Sequence, residues 1–347
     1  MKKGRVVVAL LAAMAVSLVL AGCLGLGYAV SGQITDAGGA KIAGVTLTFS
    51  GGYGTATTGA DGKWSKSGLR GTVTVTPAKA AWVFQPTSSQ VTGAVANVDF
   101  TAAPAKILLY DDSQHGFAAQ ALRNLGYAVT TSGNLADFNS YLSTQTWHLV
   151  VADNPGNSSS GTLSLLKGFV NAGGRLAIST WQTEKYPSDA LWATLGSTSG
   201  QAPDSDVHPV YKWTSSHQIF TTPNSVPNFT AMKYTGWDVD AFPGSATGTG
   251  TALGGIATAA IANNATIFVA NGGRTVFNAF LLDDAVDEYD VANDVDADSK
   301  ADAVEYWENQ VVFLLSQPGI AAVGGASAGL TGVKPLSMGD DAVSNRK

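Results

Sequence analysis

The chain has 347 residues, with 20 Lys and Arg against 26 Asp and Glu, a single Cys and 40 Gly. The balance is acidic and no Lys/Arg cluster occurs, which excludes a nucleic-acid partner. Charged residues make up only 13% of the chain, too few for a coiled coil and in keeping with a secreted β-rich or α/β protein; the length suggests two domains.

Met1 to Arg5 form a cationic start, Val6 to Leu20 are apolar apart from Ser17, and Leu20-Ala21-Gly22-Cys23 follows. This is the three-part layout of a secretory signal, too short and wrongly flanked for a membrane span. The Leu-Ala-Gly-Cys ending resembles the bacterial lipobox. The resemblance implies that residues 1–22 are removed, that Cys23 is acylated, and that residues 23–27 form a lipidated tether to a membrane. A plain cleaved signal or an uncleaved anchor, with Cys23 incidental, is the alternative. Acyl chains bind through buried methylenes at roughly 0.8 kcal/mol each, so two or three anchor stably. Leu24 stands where an inner-membrane retention signal would carry Asp, which favours the outer membrane or cell surface. Loss of residues 1–22 removes Lys2, Lys3 and Arg5 and no acid, leaving 17 bases and 26 acids, a net of −9. With Cys23 acylated no thiol remains, which excludes disulfides, thiolate metal sites and cysteine nucleophiles.

From 28 to 102 the pattern is all-β. Alternating runs such as Val45-Thr46-Leu47-Thr48-Phe49 and Val73-Thr74-Val75-Thr76 are separated by turn signals at Asp36-Ala37-Gly38-Gly39, Gly51-Gly52 and Ala60-Asp61-Gly62. Several such strands in so short a segment predict a small sandwich. The succession Val30-Ser31-Gly32-Gln33-Ile34-Thr35-Asp36, Ile42 to Leu47, Ala56 to Trp64 with its Asp-Gly turn, Gly71 to Pro77 and Val98 to Thr101 resembles the carboxypeptidase-regulatory-like and Cna-B-like family. That family implies a prealbumin-like sandwich acting as a spacer or adhesive module. Ala102-Ala103-Pro104-Ala105 reads as a linker.

After it the rhythm changes. Lys106 to Tyr110 is an apolar strand; Ala118, Ala121, Leu122 and Leu125 repeat at helical spacing; Tyr127 to Thr130 and Trp147 to Ala152 are strands. A helix around Leu163, Leu166 and Val170 ends at Gly173-Gly174, and Arg175 to Ser179 is a fourth strand. Ala265 to Val269 and Arg274 to Phe280 add a hairpin across Asn271-Gly272-Gly273, and a last helix spans 303–316. Strand–helix alternation predicts an α/β domain over 105–317 with a mainly parallel sheet. Residues 318–347 are Gly-, Ala- and Ser-rich without periodicity and are expected to be disordered. Ile107-Leu108-Leu109-Tyr110-Asp111-Asp112, Gly173-Gly174-Arg175-Leu176, Ser216-His217-Gln218-Ile219-Phe220 and Gly273 to Phe277 resemble the class I glutamine amidotransferase-like, flavodoxin-like superfamily. Active members use a cysteine on a strand-to-helix turn, followed by a His and an acid. Here that cysteine is absent.

Ser179-Thr180-Trp181 ends the fourth strand without a Gly-x-Ser-x-Gly elbow, and His115, His148, His208 and His217 show neither triad nor metal spacing. His148 reads as packing. Asp111, Asp112, His115 and Asp153 fall at the carboxyl edge of the predicted sheet, where open α/β folds receive ligands.

Between Asp283 and Glu305 ten residues are acidic and only Lys300 is basic. Asp294, Asp296, Asp298, Asp302 and Glu305 occupy positions 1, 3, 5, 9 and 12 of an EF-hand-like loop, with the Lys300 carbonyl at position 7. Calcium takes about six to eight oxygens at roughly 2.3–2.6 Å, which such a loop supplies. Position 6 is Ser299 where Gly normally permits the turn, and no helix precedes Asp294. The loop resembles the helix-less repeats of dockerin-like and thrombospondin-type-3-like proteins, which implies a structural calcium. Asp283, Asp284, Asp287 and Asp290 offer further oxygens that no spacing rule assigns; the plainer reading is an acidic turn complementing the last helix's dipole. The expected protein is a non-catalytic cell-envelope lipoprotein, a surface-binding or structural module stabilised by calcium, with an unidentified surface ligand or protein as partner. The alternative is an extracytoplasmic hydrolase using Asp111, Asp112, His115 or Asp153.

Overall fold

The computed structural model describes residues 27–155, 158–198, 209–230, 232, 241–287, 289, 291–317 and 323–324. The expected leader, Cys23 and His208 lie outside them, and the expected lipid anchor falls on residues the structure does not describe. No helix among the described residues is long and apolar enough to cross a membrane.

The first domain is built from β1 (Tyr28–Asp36), β2 (Thr46–Phe49), β3 (Thr55–Thr57), β4 (Lys63–Leu69), β5 (Val73–Ala78), β6 (Trp82–Gln85), β7 (Ser89–Val91) and β8 (Phe100–Pro104). They form two four-stranded sheets, ordered β4-β1-β8-β6 and β3-β2-β5-β7. Alternation turns Val30, Ile34, Leu47, Phe49, Val73 and Val75 inward, where they pack with Trp64 and Phe100. Gly62 makes the Asp-Gly turn at φ +70°, and a Cβ there would sit 2.5 Å from the Ile34 carbonyl. The stretch read as a linker is instead structured: β8 runs through Pro104, leaving only Ala105 and Lys106 before the next strand.

The second domain contains β9 (Ile107–Asp111), α1 (Phe117–Asn124), β10 (Val129–Ser132), α2 (Leu135–Thr144), β11 (Thr146–Trp147), β12 (Leu149–Asp153), α3 (Ser160–Asn171), β13 (Leu176–Ser179), α4 (Gln182–Lys185) and α5 (Ala190–Thr194). It continues with β14 (Tyr211–Lys212), β15 (Thr251–Gly255), β16 (Ala265–Ala270), β17 (Thr275–Asn278), α6 (Asp302–Ser316) and β18 (Val323–Gly324). The main sheet has the order β10-β9-β12-β13-β17-β16-β15-β14. Its first five strands are parallel and the last three antiparallel. This is a flavodoxin-like sheet with an antiparallel extension, and its order reverses between β9 and β12. Ile107, Leu109, Leu149 and Val151 face α1 and α6. Leu108, Tyr110, Val150 and Ala152 face α2, α3 and α5. Both faces are covered, which is why these strands read as unbroken apolar runs.

The chain enters the sandwich at Tyr28 on β1 and leaves on β8, its parallel neighbour, from the opposite end. A groove lined by Lys79, Trp82, Leu125, Tyr127 and Leu315 separates the sandwich from the carboxyl ends of α1 and α6. The sandwich therefore abuts the amino edge of the main sheet, and the carboxyl edge faces away from Tyr28. In the segment expected to be disordered, Val323–Gly324 pairs antiparallel with Thr146–Trp147; residues 318–322 and 325–347 lie outside the described set.

Candidate functional site

Asp111 and Asp153 end β9 and β12 and are paired in register where the strand order reverses. In-register residues of parallel neighbours point to one face, so both carboxyls reach toward the first turn of α1. That helix is preceded by Gly116 as its N-cap residue, at φ +63°, with no side-chain cap. The N–H of Ala119 faces Asp111 and that of Ala118 faces Asp153. A third carboxyl arrives from far along the chain. Asp283, in a short 3-10 turn at Leu282–Asp284, accepts the N–H groups of Gln114 (2.7 Å) and His115 (2.9 Å) and lies 2.7 Å from His115 Nδ1. Asp111 Oδ1 accepts from the Ser113 hydroxyl and main chain.

Asp153 is fully buried and neither of its oxygens meets hydrogen-bond geometry, although the Trp307 indole N–H also faces it. Burial first, then the charges of Asp111 and Asp283, push its carboxyl well above the ordinary range. Asp111 is raised as well, again chiefly by burial. A helix N-terminus at the point of strand reversal is where such sheets take anionic ligands. Here the chain's own carboxyls surround it. Asp112 does not join them: it is exposed and turns to Tyr110, whose hydroxyl it helps push up, after burial.

Other serine and histidine side chains of the domain have structural employment. The Ser179 hydroxyl donates to the Phe280 carbonyl (2.8 Å) and accepts from Leu282 N–H (3.1 Å). The Ser113 hydroxyl is held by Asp111, not by His115. His148 Nδ1 accepts from Lys106 N–H (2.9 Å), and burial, followed by Arg175 and Lys106, lowers it to about 4. His217 caps Ile219 N–H (3.3 Å) and packs edge-on to Phe313.

Residues 294–305 close into a compact acidic loop. Asp294 accepts from the N–H groups of Asp298 (3.0 Å) and Ser299 (2.9 Å), Asp298 from Lys300 N–H (2.8 Å), and Asp302 from Val295 N–H (3.2 Å). Ser299 adopts φ +79°, the left-handed backbone that glycine would supply more cheaply. Carboxylate oxygens of Asp294, Asp296 and Asp302 lie within 4.8 Å of one another, as do those of Asp296, Asp298 and Glu305. The Lys300 ammonium turns aside to Glu308 and Asn224, each at 3.0 Å. Asp302 and Glu305 stand in the first turn of α6, 0% and 1% exposed, and Glu305 Oε2 has no hydrogen-bond partner. Burial first, then the surrounding carboxylates, raises Asp302 to about 6 and Glu305 to about 7. Clustered oxygens with one buried and unsatisfied fit a metal ion, because a cation would supply the missing partner.

No protein family and no curated protein matches this chain. Among the solved structures that resemble part of it are two. One is a ThuA-like protein from Bacteroides uniformis, with a TM-score of 0.39 and 9% identity over 60% of this chain and 91% of that one. The other is PurLQS from Thermotoga maritima, with a TM-score of 0.34 and 8% identity over 60% of this chain and 98% of that one. The flavodoxin-like character of the sheet follows from its strand order.

Of the sequence-predicted residues, the structure brings Asp111, His115 and Asp153 together and separates Asp112 from them. It also gathers Asp294, Asp296, Asp298, Asp302 and Glu305. Asp283, expected among the loop's spare oxygens, serves His115 instead, and Asp287 Oδ1 accepts from Tyr289 and Val291 N–H. Asp290 lies outside the described residues. Trp307, which faces Asp153, carried no sequence signal beyond its place on the apolar stripe of the last helix.

Proposed function

We propose that the chain is a non-catalytic cell-envelope lipoprotein: acylated at Cys23, held to the outer membrane or cell surface, and carrying a calcium-stabilised, amidotransferase-like domain outward on a carboxypeptidase-regulatory-like sandwich. The observation that carries this reading is the loop 294–305, where five carboxylates form two overlapping groups of three and Glu305 buries an unsatisfied oxygen. A calcium affinity of about 10⁻⁴–10⁻³ M would suit an extracellular module. The absence of a nucleophilic cysteine and the structural use of Ser179 both support a binding or structural role. The test is calorimetric calcium titration alongside thermal melting. Saturable binding and a raised Tm, both lost in Asp294→Ala and Glu305→Ala, are the expected results. No heat and no shift at about 1 mM calcium would remove the metal from the proposal.

One observation favours the hydrolase alternative. His115, partly exposed at the carboxyl edge, lies 2.7 Å from Asp283, as a general base and its orienting acid would. Turnover of ester or glycoside chromogens that disappears in His115→Ala, in a variant of unchanged Tm, would establish that reading in place of the first.

A further inference from the structure

Among the described residues five large apolar side chains are exposed, and three of them, Tyr289 (76%), Val291 (58%) and Val295 (51%), fall within seven residues beside the acidic loop. Their presentation is built. Asp287 Oδ1 accepts from Tyr289 N–H (2.8 Å) and Val291 N–H (2.9 Å), and a bridge between Val286 and Ala292 closes the turn. From Asp287 to Asp298 the sequence has six acids and no base. One divalent cation would leave this tip negative. An anionic lipid surface is therefore disfavoured, and a cationic surface with room for apolar side chains is favoured.

The chain carries such a surface itself. Residues 28–102 have five bases and three acids, a net of +2, whereas residues 103–347 have 12 bases and 23 acids, a net of −11. β3 and β4 are edge strands of the two sandwich sheets and pack beside each other. An open groove of about 830 Å³ runs there, lined by Thr55, Thr57, Lys63, Trp64, Lys66 and Ser67. Trp64 is buried beneath it, and its indole N–H has no hydrogen-bond partner. The tip lies by the carboxyl edge of the main sheet and the sandwich abuts the amino edge, so a molecule's own tip does not reach its own groove.

We propose that the acidic tip of one molecule docks in the β3/β4 groove of a second copy, with Tyr289 and Val291 entering the groove and the neighbouring carboxylates meeting Lys63 and Lys66. Tip and groove are different surfaces, so the contact is heterologous. Each added copy exposes a fresh tip or groove, and assembly proceeds as an open chain rather than a closed pair.

Sedimentation velocity on the purified protein, up to about 0.5 mM, tests this. Species growing beyond a dimer with concentration are expected at about 0.02 M salt, with association at least about tenfold weaker at about 0.5 M salt. Tyr289→Ser with Val291→Ser should abolish it, as should Lys63→Glu with Lys66→Glu, each at unchanged Tm. Mixing these two variants should restore one heterodimer that grows no further, since one supplies an intact groove and the other an intact tip. A monomer throughout, association that survives either variant, or a mixture that stays monomeric would each overturn the proposal.

Discussion

Substituting Glu305→Gln should stabilise the metal-free protein and, in the same molecule, remove its response to calcium. Glu305 is 1% exposed, faces Asp296 and Asp298, and is raised from 4.5 to about 7. The folded chain therefore holds this proton more tightly than the unfolded chain. By linkage, stability is greatest below the unfolded value near 4.5, falls as pH climbs, and levels off above about 7. At about 1.36 kcal/mol per unit, ionising Glu305 in the fold costs on the order of 3 kcal/mol at pH 8. Glutamine keeps the size, removes the charge and removes that cost. Asp302, also raised, faces the same neighbours, so relief at one position eases the other and the two effects are not additive. Urea unfolding in a chelator should show the variant more stable by about 2–3 kcal/mol at pH 8 and nearly equal to wild type at pH 4. With calcium the order should reverse, because the cation repays the wild-type carboxylate only. A variant less stable than wild type at pH 8 in the chelator would refute the reasoning.

Asp153→Asn should raise stability at neutral and higher pH, where the folded chain resists ionising that buried carboxyl, with little effect below the ordinary carboxylate range; thermal melts across pH would show it, and a drop at pH 8 would count against the assignment. Ser299→Gly relieves a left-handed residue and should add about 1 kcal/mol by denaturant unfolding while tightening calcium binding in the same titration. Phe169, fully buried under β13 with its ring 2.4 Å from any Cβ at Gly174, should cost about 3–5 kcal/mol as Phe169→Ala, read as a fall in the urea midpoint.

What could be read from the residues was local. Val45 to Phe49 alternates because one face is buried, and Ile107 to Tyr110 runs apolar because both are. The loop's register is visible because its acids lie within twelve residues at EF-hand-like spacing. Asp111 and Asp153 could be placed because they end strands. The partner that completes their cluster could not: Asp283 lies 168 residues from His115 and looks like one acid in an acidic run. α2 is not legible in the sequence for another reason. Leu135, Phe138 and Leu142 are diluted by Asn, Ser and Thr, poor helix formers. The helix stands on the Asn134 cap, accepting from Asp137 N–H at 2.9 Å, and on burial of Phe138 and Leu142.

The pairing of β1 with β8 has a mechanical meaning. Because the two strands are parallel and the load enters at one end of β1 and leaves at the other end of β8, tension between the amino end and the α/β domain pulls them in opposite senses along their length. The pairs Ile34↔Phe100, Thr35↔Thr101 and Asp36↔Ala102 are then sheared together and cannot be peeled one by one. The sandwich should yield abruptly, at a force set by that short ladder, which single-molecule extension would read directly.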